Sequence, residues 1–394
     1  MNSISIYVHW PFCLSKCPYC DFNSHVGMVA DHQLWLECYS KEIEYFKTTI
    51  EGKYIKSIFF GGGTPSLMEP EVVQGIIAKL AGIGTVDART EITLEANPTS
   101  FETAKFKQFK DCGINRVSIG VQALVNDDLK KLGREHDTTQ ALAAIKSAAR
   151  IFERTSFDLI YARPGQTLKD WQEELTLAAE LMPSHISLYQ LTIEKGTPFY
   201  RLHQDKKLIL PKNDVAADMY EWTTKYLKEL GFDRYEISNY AKSGEECRHN
   251  LTYWNYEEYL GIGPGAHSRL KNYRAVKQHL TLITSTTGIM MWHKPEKWLK
   301  SVQEHGCGVQ SVDILSNEEI IQEFFMMGLR LKAGVNLKNL KNITDQEVFS
   351  ILSEDMLKYY TELNLLNFSE DHIALTDKGL MLHSYLVPRL FILR

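Results

Sequence analysis

Along the first two thirds of the chain, short apolar or alternating runs recur between longer stretches whose apolar positions return every three or four residues. The strand candidates are SISIYVHW (3–10), KSIFFGG (56–62), EITLEAN (91–97), NRVSIGV (115–121), SFDLIY (156–161) and SHISLYQL (184–191). Between them, HQLWLECYSKEIEYF, EVVQGIIAKLA, FETAKFKQFKDC, TQALAAIKSAARIF and LKDWQEELTLAAEL read as amphipathic helices. Alternation of this length predicts parallel strands joined by right-handed crossovers. Six such units fall short of a closed eight-fold barrel, so the expected α/β architecture is an open, partial (β/α)6 barrel. In such folds the chemistry sits at the C-terminal ends of the strands.

The pattern divides the chain into 1–240, 241–310 and 311–394. From about residue 235 it turns to YEISNYA and then to CRHNLTYWNYEEYLGIGPGAHS, rich in aromatics and glycine, before a connecting region near 275–310. The last part reads as three helices followed by LNLLNFSEDHIALTDKGLML, in which two apolar runs flank the polar turn Ser369-Glu370-Asp371 and Thr376 can cap a final helix. That is a winged-helix-like α+β module. Residues 310–394 carry eight Lys/Arg against twelve Asp/Glu, a sign that repels phosphate, so the module is expected to pack or cover, with no nucleic-acid partner.

Composition narrows the class without naming a function. Hydrophobic residues make 44%, charged residues 24%, and the net charge is −5, as in an ordinary globular protein. No run approaches the ~18–20 apolar residues of a membrane span. MNSISIYVHW has neither a basic n-region nor an apolar h-region, so no signal peptide is expected and the cytoplasm is the expected location. Seven cysteines, with Cys13, Cys17 and Cys20 bunched, suit metal or redox chemistry better than a disulfide framework.

Cys13-x3-Cys17-x2-Cys20 admits two readings. A structural zinc site would recruit His25 or a later histidine to complete a Cys3His set. A [4Fe–4S] cluster would bind three irons through thiolates and leave the fourth open. The spacing and the position directly after the first strand favour the cluster.

A CxxxCxxC loop after the first strand of a partial barrel resembles the radical S-adenosylmethionine (SAM) superfamily, in which the open iron chelates SAM. The resemblance implies that Gly62, Gly63 and Thr64 of GGGTP, after the second strand, contact the SAM amino group. It further implies SAM contacts for Glu95 in LEANP, Gln122 in SIGVQAL, Arg134 in KLGREH, Asp158 in FDLIY, and Tyr7 on the first strand. These positions match the HemN-like family over essentially the whole chain.

That family holds two kinds of protein, coproporphyrinogen III dehydrogenases and haem chaperones. The dehydrogenase loop reads CxxxCxxCxC and follows an extended N-terminal segment. Here Phe22 stands at the fourth cysteine position and only twelve residues precede Cys13, which favours the chaperone branch. Cys247-Arg248-His249-Asn250-Leu251-Thr252-Tyr253-Trp254 contains the HNxxYW pattern of that branch. It implies haem contact by His249, Tyr253 and Trp254, with His267 a lesser candidate and Cys247 either a thiolate ligand or an inert buried thiol. Other implications are haem delivery to apo-haem proteins of the respiratory chain, an electron donor for the cluster, a homodimer, and room for peripheral membrane association. No catalytic residue is singled out. One departure is DLIYARPGQT, where Ala162-Arg163 replaces the family's Gly-Leu beside the expected SAM mouth and adds a guanidinium there.

Overall fold

The computed structural model describes residues 2–27, 31–181, 183–271, 273, 286–341, 343–344 and 348–392. Six strands, β1 (Ser3–Trp10), β2 (Tyr54–Gly62), β3 (Glu91–Ala96), β4 (Arg116–Gln122), β5 (Arg154–Tyr161) and β6 (His185–Gln190), lie side by side in parallel order. Each falls on one of the six apolar runs. The helices His32–Tyr45, Pro70–Ala81, Thr138–Ile151 and Leu168–Ala179 follow the 3.6-residue periodicity between them, and the stretch 101–112 is divided into Ser100–Ala104 and Phe106–Asp111.

Period-two alternation assigns the two faces of these strands. Ile4, Ile6, Val8 and Trp10 of β1 join Ile58 and Phe60 of β2, Ile92 and Leu94 of β3, and the helix residues Trp35, Tyr39, Val73 and Ile76 in one apolar core. The opposite face is polar. Ser57 Oγ meets Ser5 Oγ at 2.9 Å, Ser118 Oγ meets Ser156 Oγ at 2.8 Å, and Arg116 Nη2 donates to Ser156 Oγ at 2.9 Å. The partial barrel is therefore apolar outside, under its helices, and polar within.

The sheet extends beyond the six units. Strands β7 (Asp233–Glu236) and β8 (Asn239–Ala241) continue it antiparallel past β6. At the other edge β9 (Tyr259–Ile262) pairs parallel with β1, followed by β10 (His267–Lys271), β11 (Thr286–Met291) and β12 (Val309–Ile314). The order is β12-β11-β10-β9-β1-β2-β3-β4-β5-β6-β8-β7, an open sheet. Inside its curve, helix Arg248–Trp254 plugs the end opposite the cysteine loop. Thr252 Oγ1 lies 2.8 Å from Ser5 Oγ, and His249 N–H donates to Glu91 Oε1 at 3.2 Å.

The last part holds helices Asn317–Gly328, Leu337–Lys341 and Glu354–Glu362 with a small sheet ordered β13 (Val335–Asn336), β15 (His372–Leu375), β14 (Leu366–Ser369). β14 and β15 form the hairpin expected around Ser369-Glu370-Asp371, and the Thr376 side chain caps helix Asp377–Met381 by accepting from Gly379 N–H. This winged-helix-like module has a hydrophobic core of its own, built on Ile321, Phe325, Leu357 and Leu375.

The Ala162-Arg163 departure has a different consequence from the one its position suggests. Ala162 sits at φ 56°, in the left-handed region that favours glycine, and carries the roughly 1 kcal/mol cost of a Cβ there. Arg163 does not charge the strand-end mouth. Its side chain is 2% exposed and turns into the protein, donating Nη1 to Ile160 O at 2.7 Å and pairing with Glu174 and, at 2.9 Å, with Asp128. Glu174 is equally buried and also accepts from Leu124 N–H. Removing one partner of such a pair leaves an uncompensated buried charge. Arg163→Leu should therefore lower unfolding stability by about 3 kcal/mol, read as a shifted denaturant midpoint and partly recovered by adding Glu174→Gln. An unchanged midpoint would show that the pair contributes nothing net.

Candidate functional site

The cysteine loop leaves the C-terminal end of β1 and is closed at its base by backbone pairing. Cys13 N–H donates to His25 O at 3.0 Å and His25 N–H to Pro11 O at 2.7 Å. Within the loop Cys20 N–H reaches Cys17 O at 3.1 Å. The three thiols remain partly open and free. Burial pushes the Cys13 and Cys20 thiols up, and neighbouring thiols add to the effect. Thr64 Oγ1 donates to Cys13 Sγ at 3.3 Å, which favours that thiolate, and Arg134 Nη1 donates to Cys17 Sγ at 3.4 Å.

The glycine turn lies against this loop. Gly63 N–H donates to Trp10 O at 2.7 Å and Thr64 N–H to Phe12 O at 2.8 Å. A Cβ on Gly63 would stand 2.6 Å from Phe12 O, while Gly62 adopts φ 111° with the His9 ring 2.5 Å from its Cβ direction. Only glycine fits at either place. His9 itself is fixed: Nε2 faces Asn23 O at 2.9 Å and must donate, so Nδ1 accepts from Tyr7 Oη at 3.0 Å. Burial lowers its pKa to about 4 and keeps the ring neutral.

Cys13, Cys17, Cys20, Gly62, Gly63, Thr64, Glu95, Gln122, Arg134 and Asp158 all line one cavity of about 720 Å³. Its inner wall is acidic. Burial, with Asp158 adding repulsion, pushes the Glu95 carboxyl up to about 8, while Gly62 N–H donates to its Oε2 at 3.3 Å. Burial likewise raises Asp158 to about 6, against hydrogen bonds from Ser187 and Ser118. Gln122 closes β4 at φ 71°, a strained conformation for a side-chain-bearing residue, and its buried Oε1 has no partner among the described residues. Arg134 Nε is also buried without a partner among the described residues. A protonated Glu95 carboxyl beside Asp158, with orphaned polar atoms around a glycine cradle, suits a polar ligand carrying positive charge, with hydrogen-bonding groups of its own.

Other expected residues lie elsewhere. Tyr7 lies beside the stacked Phe59–His249 pair rather than lining the cavity, with ring centroids 6.3 and 6.2 Å away. His249 is 1% exposed in the barrel plug, its Nδ1 2.8 Å from Ser57 Oγ and its Nε2 2.8 Å from Tyr253 Oη. Both ring nitrogens are engaged, so as packed here it offers no lone pair to an iron. Trp254 lies under the Arg330 guanidinium, 4.5 Å from its ring centre. His267 projects from β10 and is exposed. Cys247 is buried against Glu91, its thiol pushed up to about 12, which fits the inert alternative. His25 Nε2 donates to Asn23 Oδ1 at 3.1 Å. Among the described residues, no three or more Cys, His, Asp or Glu side chains converge closely enough to enclose a single metal ion.

Sequence reasoning missed Glu102. It is fully buried, accepts from Asn97 N–H at 2.9 Å and from Ser66 Oγ, and so ties the ends of β2 and β3 together. Asn97 in turn donates to Thr64 Oγ1 at 3.2 Å and accepts from Arg134 Nη2. The available signal was the helix-start spacing Thr99-x-x-Glu102 just after β3. His383 and Arg330, which also line the cavity, come from the C-terminal module, and no local motif marks them.

Comparison with known proteins agrees with this geometry. Residues 7–178 match the Radical SAM superfamily and residues 315–382 the HemN C-terminal domain. The chain is 37% identical to the mitochondrial radical S-adenosyl methionine domain-containing protein 1 of Danio rerio, over 84% of this chain and 73% of that one. It is 33% identical to the heme chaperone HemW of Bacillus subtilis over 96% of both chains, and 35% identical to HemW of Buchnera aphidicola from Acyrthosiphon pisum over 87% of both. Its fold follows that of the Escherichia coli coproporphyrinogen III oxidase HemN, with a TM-score of 0.81 at 21% identity over 99% of this chain and 90% of that one. The chain thus belongs to the HemN-like family of the radical SAM superfamily, a family whose cofactors are a [4Fe–4S] cluster and SAM.

Proposed function

We propose that this protein is a haem chaperone, binding haem beside a SAM-chelating [4Fe–4S] cluster and delivering it to apo-haem proteins. The observation that carries this reading is the match to HemW of Bacillus subtilis over 96% of both chains. Phe22, 60% exposed at the place where the dehydrogenase loop has a further cysteine, supports it. The likeness to the oxidase HemN is one of fold.

In this reading Cys13, Cys17 and Cys20 hold the cluster as thiolates, aided by the donors Thr64 and Arg134. Bound there, the cluster supplies an iron with an open coordination position and a source of single electrons. Gly62, Gly63 and Thr64 present backbone and hydroxyl groups to the amino acid end of SAM, without a Cβ in the way. Glu95 gives up its proton when a cation arrives, Asp158 accepts from ribose hydroxyls, and Gln122 and Arg134 gain the partners they lack. Recipients are apo-haem proteins of the respiratory chain. The work takes place in the cytoplasm, with an electron donor for the cluster, a homodimeric chain and peripheral contact with the membrane. Among the described residues no helix is long and apolar enough to cross a membrane.

The deciding experiment is anaerobic reconstitution followed by haem titration with and without SAM, and transfer of the bound haem to an apo-haem protein. Turnover of coproporphyrinogen III to protoporphyrinogen at catalytic rates, with SAM and reductant, would replace the chaperone reading with the dehydrogenase one. Cys13→Ser, Cys17→Ser and Cys20→Ser should each lose iron and sulfide on reconstitution, measured by metal analysis, and zinc without sulfide in the parent would end the cluster reading.

A second prediction concerns Glu95. The unfolded chain releases its proton near the ordinary 4.5, whereas the ligand-free folded chain holds it to about 8. Folding stability therefore falls as pH rises from about 4.5 to 8, because the unfolded state binds fewer protons there. Glu95→Gln should remove that slope, stabilising the ligand-free protein by about 2–3 kcal/mol at pH 7, while weakening SAM binding through loss of the anion. A thermal melt across pH and a SAM titration read the two halves. Equal SAM affinity in both proteins would take Glu95 out of the site.

A further inference from the structure

The cavity has a second wall that belongs to the C-terminal module. Arg330, Leu380, Met381, His383 and Ser384 line it, joined by Ile237 and Ser238 from the turn between β7 and β8. Three of its side chains are apolar, set beside two hydroxyls, one cation and one imidazole. This matches the chemistry of a flat apolar macrocycle bearing a metal at its centre and carboxylates at its edge.

His383 is held in one tautomer. Its Nε2 lies 3.1 Å from Met326 O, and a carbonyl only accepts, so the proton sits on Nε2. Nδ1 keeps its lone pair and has no hydrogen-bond partner among the described residues. Burial, reinforced by the nearby Arg330 cation, lowers the pKa to about 4, so this lone pair stays free at physiological pH. A neutral imidazole with an unused nitrogen on a cavity wall is a competent iron ligand. His249, with both nitrogens engaged, is not. Arg330 is fixed by Glu236 Oε2 at 3.0 Å and by the Trp254 ring beneath it, and its buried Nε has no partner among the described residues.

Resting on the haem reading above, we propose that the C-terminal module supplies the haem-facing wall of the cavity, with His383 Nδ1 as the axial donor to iron and Arg330 as the partner of a propionate. Ile237, Leu380 and Met381 pack against the macrocycle. His249 acts at one remove, by seating the helix whose Trp254 supports Arg330.

The test is a hemin titration of the full-length reconstituted protein, followed by optical and EPR spectra of the complex. His383→Gln keeps a donor for Met326 O and lacks the nitrogen ligand, so it preserves the fold. It should weaken hemin binding at least tenfold and change the axial signature. In His383→Gly, added imidazole should restore the signature of the parent. Parent-like affinity and spectrum in His383→Gln, or an axial signature lost only in His249→Ala, overturns the assignment while leaving the chaperone reading intact. A parent protein that binds no hemin overturns the chaperone reading itself, and this one with it.

Discussion

Four backbone hydrogen bonds fix the cysteine loop to the strand ends, and the cavity is arranged around them. Cys13 N–H to His25 O and His25 N–H to Pro11 O close the loop, while Gly63 N–H to Trp10 O and Thr64 N–H to Phe12 O press the glycine turn against it. At about 1 kcal/mol each, these bonds do not offset ordering a dozen residues at about 1–2 kcal/mol apiece. The difference comes from what the bonds are buried with. Trp10, Phe12 and Trp35 meet edge-to-face at 5.1–5.3 Å beneath the loop, and Asn23 Nδ2 is held by Pro264 O and His293 O at 3.0 Å from the far edge of the sheet. The thiols are positioned by an aromatic floor and a backbone clamp before any cofactor contributes.

The polar lumen imposes the second constraint. Buried polar groups cost about 1–3 kcal/mol each when left unpaired, and the inward faces of the strands carry Ser5, Ser57, Glu91, Arg116, Ser118 and Ser156. Helix Arg248–Trp254 satisfies the end away from the cysteine loop. Thr252 meets Ser5, His249 meets Ser57, and both Cys247 Sγ and His249 N–H reach Glu91, which also binds Arg154 at 2.6 Å. The same helix packs on Asn317–Gly328 of the C-terminal module and carries Arg330 on Trp254. The HNxxYW segment thus acts as a plug and a strut between the two cores.

Strand and helix periodicity made β1 to β6 and most of their helices legible, because each strand is covered on one side and each helix has one buried face. The cysteines and glycines were legible for a different reason, since their chemistry allows few substitutes. Glu95 and Asp158 could be placed at strand ends from pattern alone, but their raised pKa values depend on burial that the pattern does not contain. Tyr7 shows the limit clearly. It lies on the inward face of β1, as alternation requires, yet its hydroxyl is taken by His9 and its ring by Phe59 and His249. His249 resembled a ligand because a histidine among aromatics serves equally well as a packed core residue. Nothing short of its two hydrogen bonds distinguishes the roles. Arg163 was read toward the cavity from its neighbours in sequence, whereas its long side chain reaches the buried Glu174 instead.

The acidic balance of the C-terminal module also acquires a structural use. Glu323 receives Arg269 through both carboxylate oxygens at 2.6 and 2.8 Å and Tyr256 Oη at 2.7 Å, and Asp377 receives Arg234 at 2.7 Å. Arg234 is 1% exposed but Asp377 is 70% exposed, so solvent screens that pair and its energetic worth is small. Its value is positional. Asp377 opens the helix that Thr376 caps, and fixing this residue against β7 sets the register of everything after it. Leu380, Met381 and His383 follow within two turns and therefore face the cavity rather than solvent. A winged-helix-like module that would meet a phosphate backbone with net negative charge directs two of its acids, Glu323 and Asp377, at arginines of the large sheet, and Asp377 helps set the wall beside the cofactor site.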